Sequence, residues 1–154
     1  MSADHMKKMH YGRLLGMAVL SFISMYALMY AMVNRFDNVY SNLNQFYMAG
    51  LMASPMVIIE LALMGVMYPD KRRNAFIVAG SAGAMILFWI FIRQQTAITD
   101  GQFLRSMIPH HAGAILMCEE ASIENPEIRR LCGEITRSQQ SEIEQMKAIL
   151  PRER

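Results

Sequence analysis

The side chains best equipped for chemistry stand together at Met107-Ile108-Pro109-His110-His111, with Met117 further along the same segment. Thioether sulfur and imidazole nitrogen form a soft ligand set, which suits copper(I) better than magnesium, calcium or manganese. On a helix His110 and His111 point about 100° apart and Met107 lies one turn before both, so Met107 pairs readily with either imidazole. Met117 lies about 10 Å along the axis from His110, which suits a second ion or a neighbouring chain better than a shared one. A second series, Met48, Met52, Met56, Glu60 and Met64, recurs every four residues. Such a row drifts by about 40° per step on a helix, so it winds, yet each neighbouring pair meets and a soft ion could pass along it. These methionines are equally well read as flexible packing residues. Glu60 is costly in an apolar run and is expected to face a partner or a wet cavity. A third group, His5-Met6 with Met9-His10, has turn spacing but lies in a short basic lead and reads as solvated.

These residues need elements to hold them, and hydropathy supplies the first three. Of 154 residues 53% are hydrophobic, and the long apolar runs fall before residue 93. Residues 14–33 carry no formal charge, and 20 residues at about 1.5 Å each cover a hydrocarbon layer of roughly 30 Å. No A-x-A site follows, so this run is expected to be an uncleaved span rather than a signal peptide. Residues 46–68 cross again, interrupted by Pro55 and Glu60, and residues 75–92 cross a third time between Arg73 and Arg93. Lys7, Lys8 and Arg13 precede the first span, and Lys71, Arg72 and Arg73 precede the third. By the positive-inside rule the N-terminus is cytoplasmic and the C-terminal segment periplasmic or extracellular, in a bacterial inner (plasma) membrane. Ala79/Gly83 and Gly80/Ala84 would let another helix approach closely, within the chain or from a second copy.

The remaining residues predict a helical hairpin. Thr99 and Gln102 stand at capping-box spacing, and apolar positions 104, 108, 111, 115 and 118 follow in steps of four and three. Pro109 should bend this helix. Asn125-Pro126-Glu127 reads as the start of a second helix, with Ile128, Leu131, Cys132, Ile135, Ile143, Met146 and Ile149 on its apolar face. The expected organisation is a membrane domain over 1–98 and a hairpin over 99–154, with helices at about 100–122 and 126–150. A turn centred on residue 125 sets Cys118 level with Cys132, where a disulfide, two buried thiols or a soft-metal pair are the alternatives. The same register sets His110 and His111 against Gln140 and Gln139, inside the polar break Ser138-Gln139-Gln140-Ser141-Glu142, and Met146 near Met107. A metal, or a hydrogen-bonded polar layer, would satisfy the groups buried there. Nucleic acid is not an expected partner, since residues 100–154 hold nine acids and seven bases.

The string MIPHHAGAILM (Met107 to Met117), followed by SQQSEIEQM ending at Met146, resembles the CopM-like family, bacterial domains long labelled as of unknown function, with a ferritin-like helical bundle and copper-binding members. The resemblance covers about the last third of the chain. It implies an all-α fold in which the hairpin is half of a four-helix bundle, and metal ligands at Met107, His110, His111, Met117 and Met146. Family members often carry two helical pairs, so a single pair implies a homo-oligomer, a dimer before a trimer. The membrane half is similar in outline to trimeric Ctr-type copper transporters, through Met48/Met52 and Gly80/Ala84.

The expected function is that of a membrane-anchored, non-enzymatic protein that holds Cu(I) for homeostasis or resistance, in the lipid bilayer and with copper-handling proteins as partners. A transporter conducting Cu(I) past Met48, Met52, Met56 and Glu60 is the first alternative, and a structural membrane subunit without metal the second. A di-iron oxidoreductase is disfavoured because the sequence holds no Glu-x-x-His. Paired carboxylates, a Ser-His-Asp set and a glycine-rich phosphate loop are likewise not found.

Overall fold

Five α-helices carry the chain in a computed structural model that describes residues 3–153, with side chains described from residue 9. They are α1 (Ala3–Leu28), α2 (Leu43–Leu63), α3 (Lys71–Gln94), α4 (Asp100–Glu120) and α5 (Pro126–Ile149). No strand occurs among the described residues. Three segments are long and apolar enough to cross a bilayer: Met9–Met32, Leu43–Leu63 and Lys71–Gln94. The shortest has 21 residues, about 31 Å of helix.

The second span stops before the expected residue 68, and the cause is local. After Leu63 the chain tightens into a 3-10 turn at Gly65–Met67. Tyr68 then turns back to pack with Leu14 and Leu61, the three forming a buried cluster. The next helix starts at its own cap, where the Asp70 carboxylate accepts from the Arg73 backbone N–H. Pro55 sits inside α2 and removes one backbone donor, while the Ser54 hydroxyl donates to the Gly50 carbonyl at 2.7 Å. Gly50 lies against the Phe88 ring of α3, so closely that a methyl group there would collide with it. Close approach here needs a residue without a side chain.

The chain divides into two compact units, Met1–Leu28 with Phe46–Thr96, and Met29–Gln45 with Ala97–Arg154. The second unit therefore takes in the linker between the first two spans as well as the expected hairpin. Val33 and Tyr40 of that linker pack against the hairpin core, the Asn42 amide donates to the Arg105 carbonyl at 3.4 Å, and Lys147 meets Asp37 at 3.0 Å.

Both hairpin helices begin where their caps predict. Thr99 accepts from the Gln102 N–H, and Asn125 accepts from the N–H groups of Glu127 and Ile128, with Pro126 opening α5. Leu104, Ile108, Ala112 and Ile115 of α4 close on Ile143 of α5 and on Leu150. Pro109 is buried within α4, which continues as one helix through it. Cys118 and Cys132 are joined as a disulfide, with Cα atoms 5.2 Å apart. Ile128, Leu131 and Ile149, expected on the apolar face, are instead exposed. Ile128 and Leu131 lie in the first two turns of α5, level with the end of α4 and the loop beyond it.

Candidate metal centre

His111 is the organising side chain of the hairpin. It is only 7% exposed, and each ring nitrogen has an assigned neighbour. Nδ1 lies 2.9 Å from the Met107 carbonyl. A carbonyl can only accept, so Nδ1 carries the proton and donates. Nε2 lies 2.8 Å from Glu142 Oε2. A histidine whose Nδ1–H is committed to a backbone carbonyl can present Nε2 to an ion only in place of the Nε2–H···Glu142 contact, and the fixed Nδ1–H is the usual way ligating imidazoles are oriented. Glu142 Oε1 accepts from the Ser138 hydroxyl at 2.7 Å. That bond, and then His111, hold the Glu142 carboxyl below the ordinary carboxylate range.

The surroundings mix soft and hard donors. Met107 and Met146 are both half-buried, and Met146 packs against the hairpin core. Gln139, Glu142 and Met146 occupy one side of α5 at spacings of three and four. The Gln139 Oε1 atom is buried with no hydrogen-bond partner among the described residues. Such an orphaned acceptor marks a layer that a further polar group or an ion would complete. No three His, Cys, Asp or Glu side chains gather tightly enough to hold a metal among the described residues. An ion bound at His111 would draw on sulfur, and a donor set of one imidazole with the thioethers of Met107 and Met146 would fit a soft cation.

The five expected ligands are not brought to one point. His111 is central, with Met107 one turn before it. Met146 stands on the facing helix. His110 is exposed, its ring centroid 6.1 Å from that of His111, and Met117 is 54% exposed. Consecutive helical residues diverge by about 100°, so only one imidazole of the pair can turn inwards. Glu142 is the site residue that the spacing argument passed over. Its signal is the polar break Ser138-Gln139-Gln140-Ser141-Glu142 in the apolar stripe of α5, within which the register alone points to Gln139 and Gln140.

In the spans, Met48 and Met52 face outwards from α2. Met56 lines an open groove with Met17 and Met25 of α1. Glu60 accepts from the Tyr68 hydroxyl at 3.4 Å. The four residues thus look in different directions, as a four-residue step on a 3.6-residue helix requires. The side chains of His5 and Met6 lie outside the described residues.

Comparison with known proteins adds two findings. Residues 92–150 match the family model described as a domain of unknown function, DUF305. Over 145 residues the chain is 32% identical to an uncharacterized protein, L153, of Acanthamoeba polyphaga mimivirus, covering 92% of this chain and 93% of that one. No solved structure gives a significant match.

Proposed function

Because this chain belongs to one family with that viral protein and carries the DUF305 domain at its C-terminal end, we propose that it is a membrane-anchored protein that captures Cu(I) with its hairpin. The observation that carries this reading is His111, buried, with Nδ1 fixed by the Met107 carbonyl and Nε2 turned towards α5. Met107 and Met146 supply sulfur from the turns on either side. The likeness of Met107 to Met117 to the CopM-like copper-binding domains supports the same ion. Copper is cargo in this reading, and no step of chemistry is asked of the protein.

Topology supports the anchored arrangement. Three crossings put the linker after the first span and the segment after the third on one side of the membrane. The bonds Asn42–Arg105 and Lys147–Asp37 join those two segments. The Lys/Arg distribution makes that side periplasmic or extracellular, where the Cys118–Cys132 bridge would persist. A second copy of the chain would cover Ile128 and Leu131 and complete a four-helix bundle. The outward setting of Met48 and Met52 favours capture over conduction by a single chain.

The test is a Cu(I) titration of the detergent-solubilised full chain against a competing chelator, with zinc in parallel. His111→Ala should weaken Cu(I) binding by at least tenfold, about 1.4 kcal/mol, with Met107→Leu and Met146→Leu each weakening it less. His110→Ala should cost least. Unchanged Cu(I) affinity in the His111→Ala protein would defeat the proposal.

A further inference from the structure

The first compact unit contains a cavity of about 220 Å³ between the N-terminal turns of α1 and the turn that joins α2 to α3. Its lining includes His10, Arg13 and Met17 from α1, and Glu60, Met67 and Tyr68 from α2 and the turn. We infer that this cavity is a second soft-cation site, in which Met17, Met67 and Glu60 hold a copper(I) ion and His10 completes the set from its open end. The identity of the ion rests on the function proposed for the hairpin; the site itself rests on the residues gathered here.

The walls are fixed by contacts that leave the Met67 sulfur and the His10 imidazole out. The Tyr11 hydroxyl donates to Asn74 Oδ1 at 2.8 Å, and the Asn74 amide donates to the Tyr68 carbonyl at 2.7 Å. The rings of Tyr11 and Tyr68 stand 5.4 Å apart. Leu14, Leu61 and Tyr68 form a buried floor. Two elements distant in sequence are thus tied together around the space that the candidate ligands line. Met17 and Met67 lean on that apolar floor, and the Ser21 hydroxyl approaches the Met17 sulfur at 3.7 Å.

The donors select the ion. Calcium and magnesium call for several oxygen ligands, and this cavity has one carboxylate. Thioethers are neutral and soft, so they suit a monovalent soft cation and offer nothing to an anion. Arg13 lies in the same wall and offsets the Glu60 charge, which makes a doubly charged ion less welcome than a singly charged one. A carboxylate set among apolar helices is expensive unless a partner meets it, and here the Tyr68 hydroxyl at 3.4 Å meets one oxygen only.

The experiment is a Cu(I) stoichiometry in the detergent-solubilised full chain, with each site removed separately. The hairpin variant carries His111→Ala, Met107→Leu and Met146→Leu; the cavity variant carries Met17→Leu and Met67→Leu, both close to isosteric. Each variant should lose one ion per chain, and the combined variant both. Full wild-type stoichiometry in the cavity variant would overturn this inference alone, whereas full stoichiometry in the hairpin variant would overturn the proposed function alone. X-ray absorption of the Cu(I) left on the hairpin variant should show sulfur neighbours, and a purely oxygen or nitrogen shell would equally refute the site. If size-exclusion chromatography shows the double leucine variant to be aggregated, Glu60→Gln with His10→Asn gives the reading, again as one ion lost or retained.

Discussion

At His111 the two ring nitrogens do different work. Nδ1 fixes the ring to its own helix through the Met107 carbonyl, and Nε2 links α4 to α5 through Glu142. The carboxylate is the more exposed partner, with a side chain 48% exposed against 9% for the imidazole. Its titration still registers in the fold. Hydrogen bonds from Ser138 and then His111 lower the Glu142 pKa from an ordinary value of 4.5. A carboxyl group lowered on folding adds stability above its unfolded pKa, and that stability is lost as pH falls through the folded value. Asp37 behaves alike, its pKa lowered first by the Lys147 hydrogen bond. Helical content and melting temperature of the solubilised protein should therefore hold from neutral pH down to about 5 and decline in acid below about 4.5. In Glu142→Gln the decline should be shallower, with Asp37 supplying what remains. An identical acid profile in the variant would mean that the His111–Glu142 link contributes nothing to the fold.

At the scale of the elements, what the sequence made legible follows from locality. Thr99, Asn125 and Pro126 announce helix starts through groups two or three residues away, and α4 and α5 begin where these residues say. The three helices long and apolar enough to cross a bilayer were legible because apolar length alone specifies them. The end of α2 was not, since it depends on Tyr68 finding Leu14 across more than fifty residues of chain. The choice of Glu142 over Gln139 as partner of His111 likewise turns on side-chain reach, which an antiparallel register gives only to within a turn. Cys118 and Cys132 were legible as neighbours from that register, and the structure joins them. Their bridge closes a loop with a sequence separation of 14, and for a loop near this length the chain-entropy model gives about 3 kcal/mol. Cys118→Ser with Cys132→Ser should lower hairpin stability by up to that amount. Amide exchange in α4 and α5 should then quicken, most at the tip around residues 121–131, while the amides of α2 and α3 keep their protection. Equal quickening in α2 and α3 would show that the bridge acts on more than the hairpin.

At the scale of the whole molecule, the linker between the first two spans is a working part of the second unit. Nothing local in residues 33–42, between the two candidate spans, says so. The sequence shows an ordinary polar connection, and the contacts that recruit it, such as Asn42 to Arg105, span 63 residues. Once recruited, it limits the topologies available, because a linker bonded to the hairpin must emerge on the hairpin's side. An even number of crossings between them would satisfy this, and α2 with α3, both long and apolar enough to cross, would supply two. In that arrangement the turn between α2 and α3 would lie on the opposite side. Phe36 is 97% exposed in the linker and Val66 is 99% exposed in that turn, so single cysteines at these points report side without disturbing packing. In a background with Cys118 and Cys132 replaced by serine, a membrane-impermeant thiol reagent applied to intact cells should label Phe36→Cys and Ser122→Cys. Val66→Cys should react only after the membrane is opened. Labelling of Val66→Cys in intact cells, together with the other two, would refute the three-crossing arrangement. Labelling of Val66→Cys alone would keep the crossings and reverse their direction, placing the hairpin in the cytoplasm, where its disulfide would not persist.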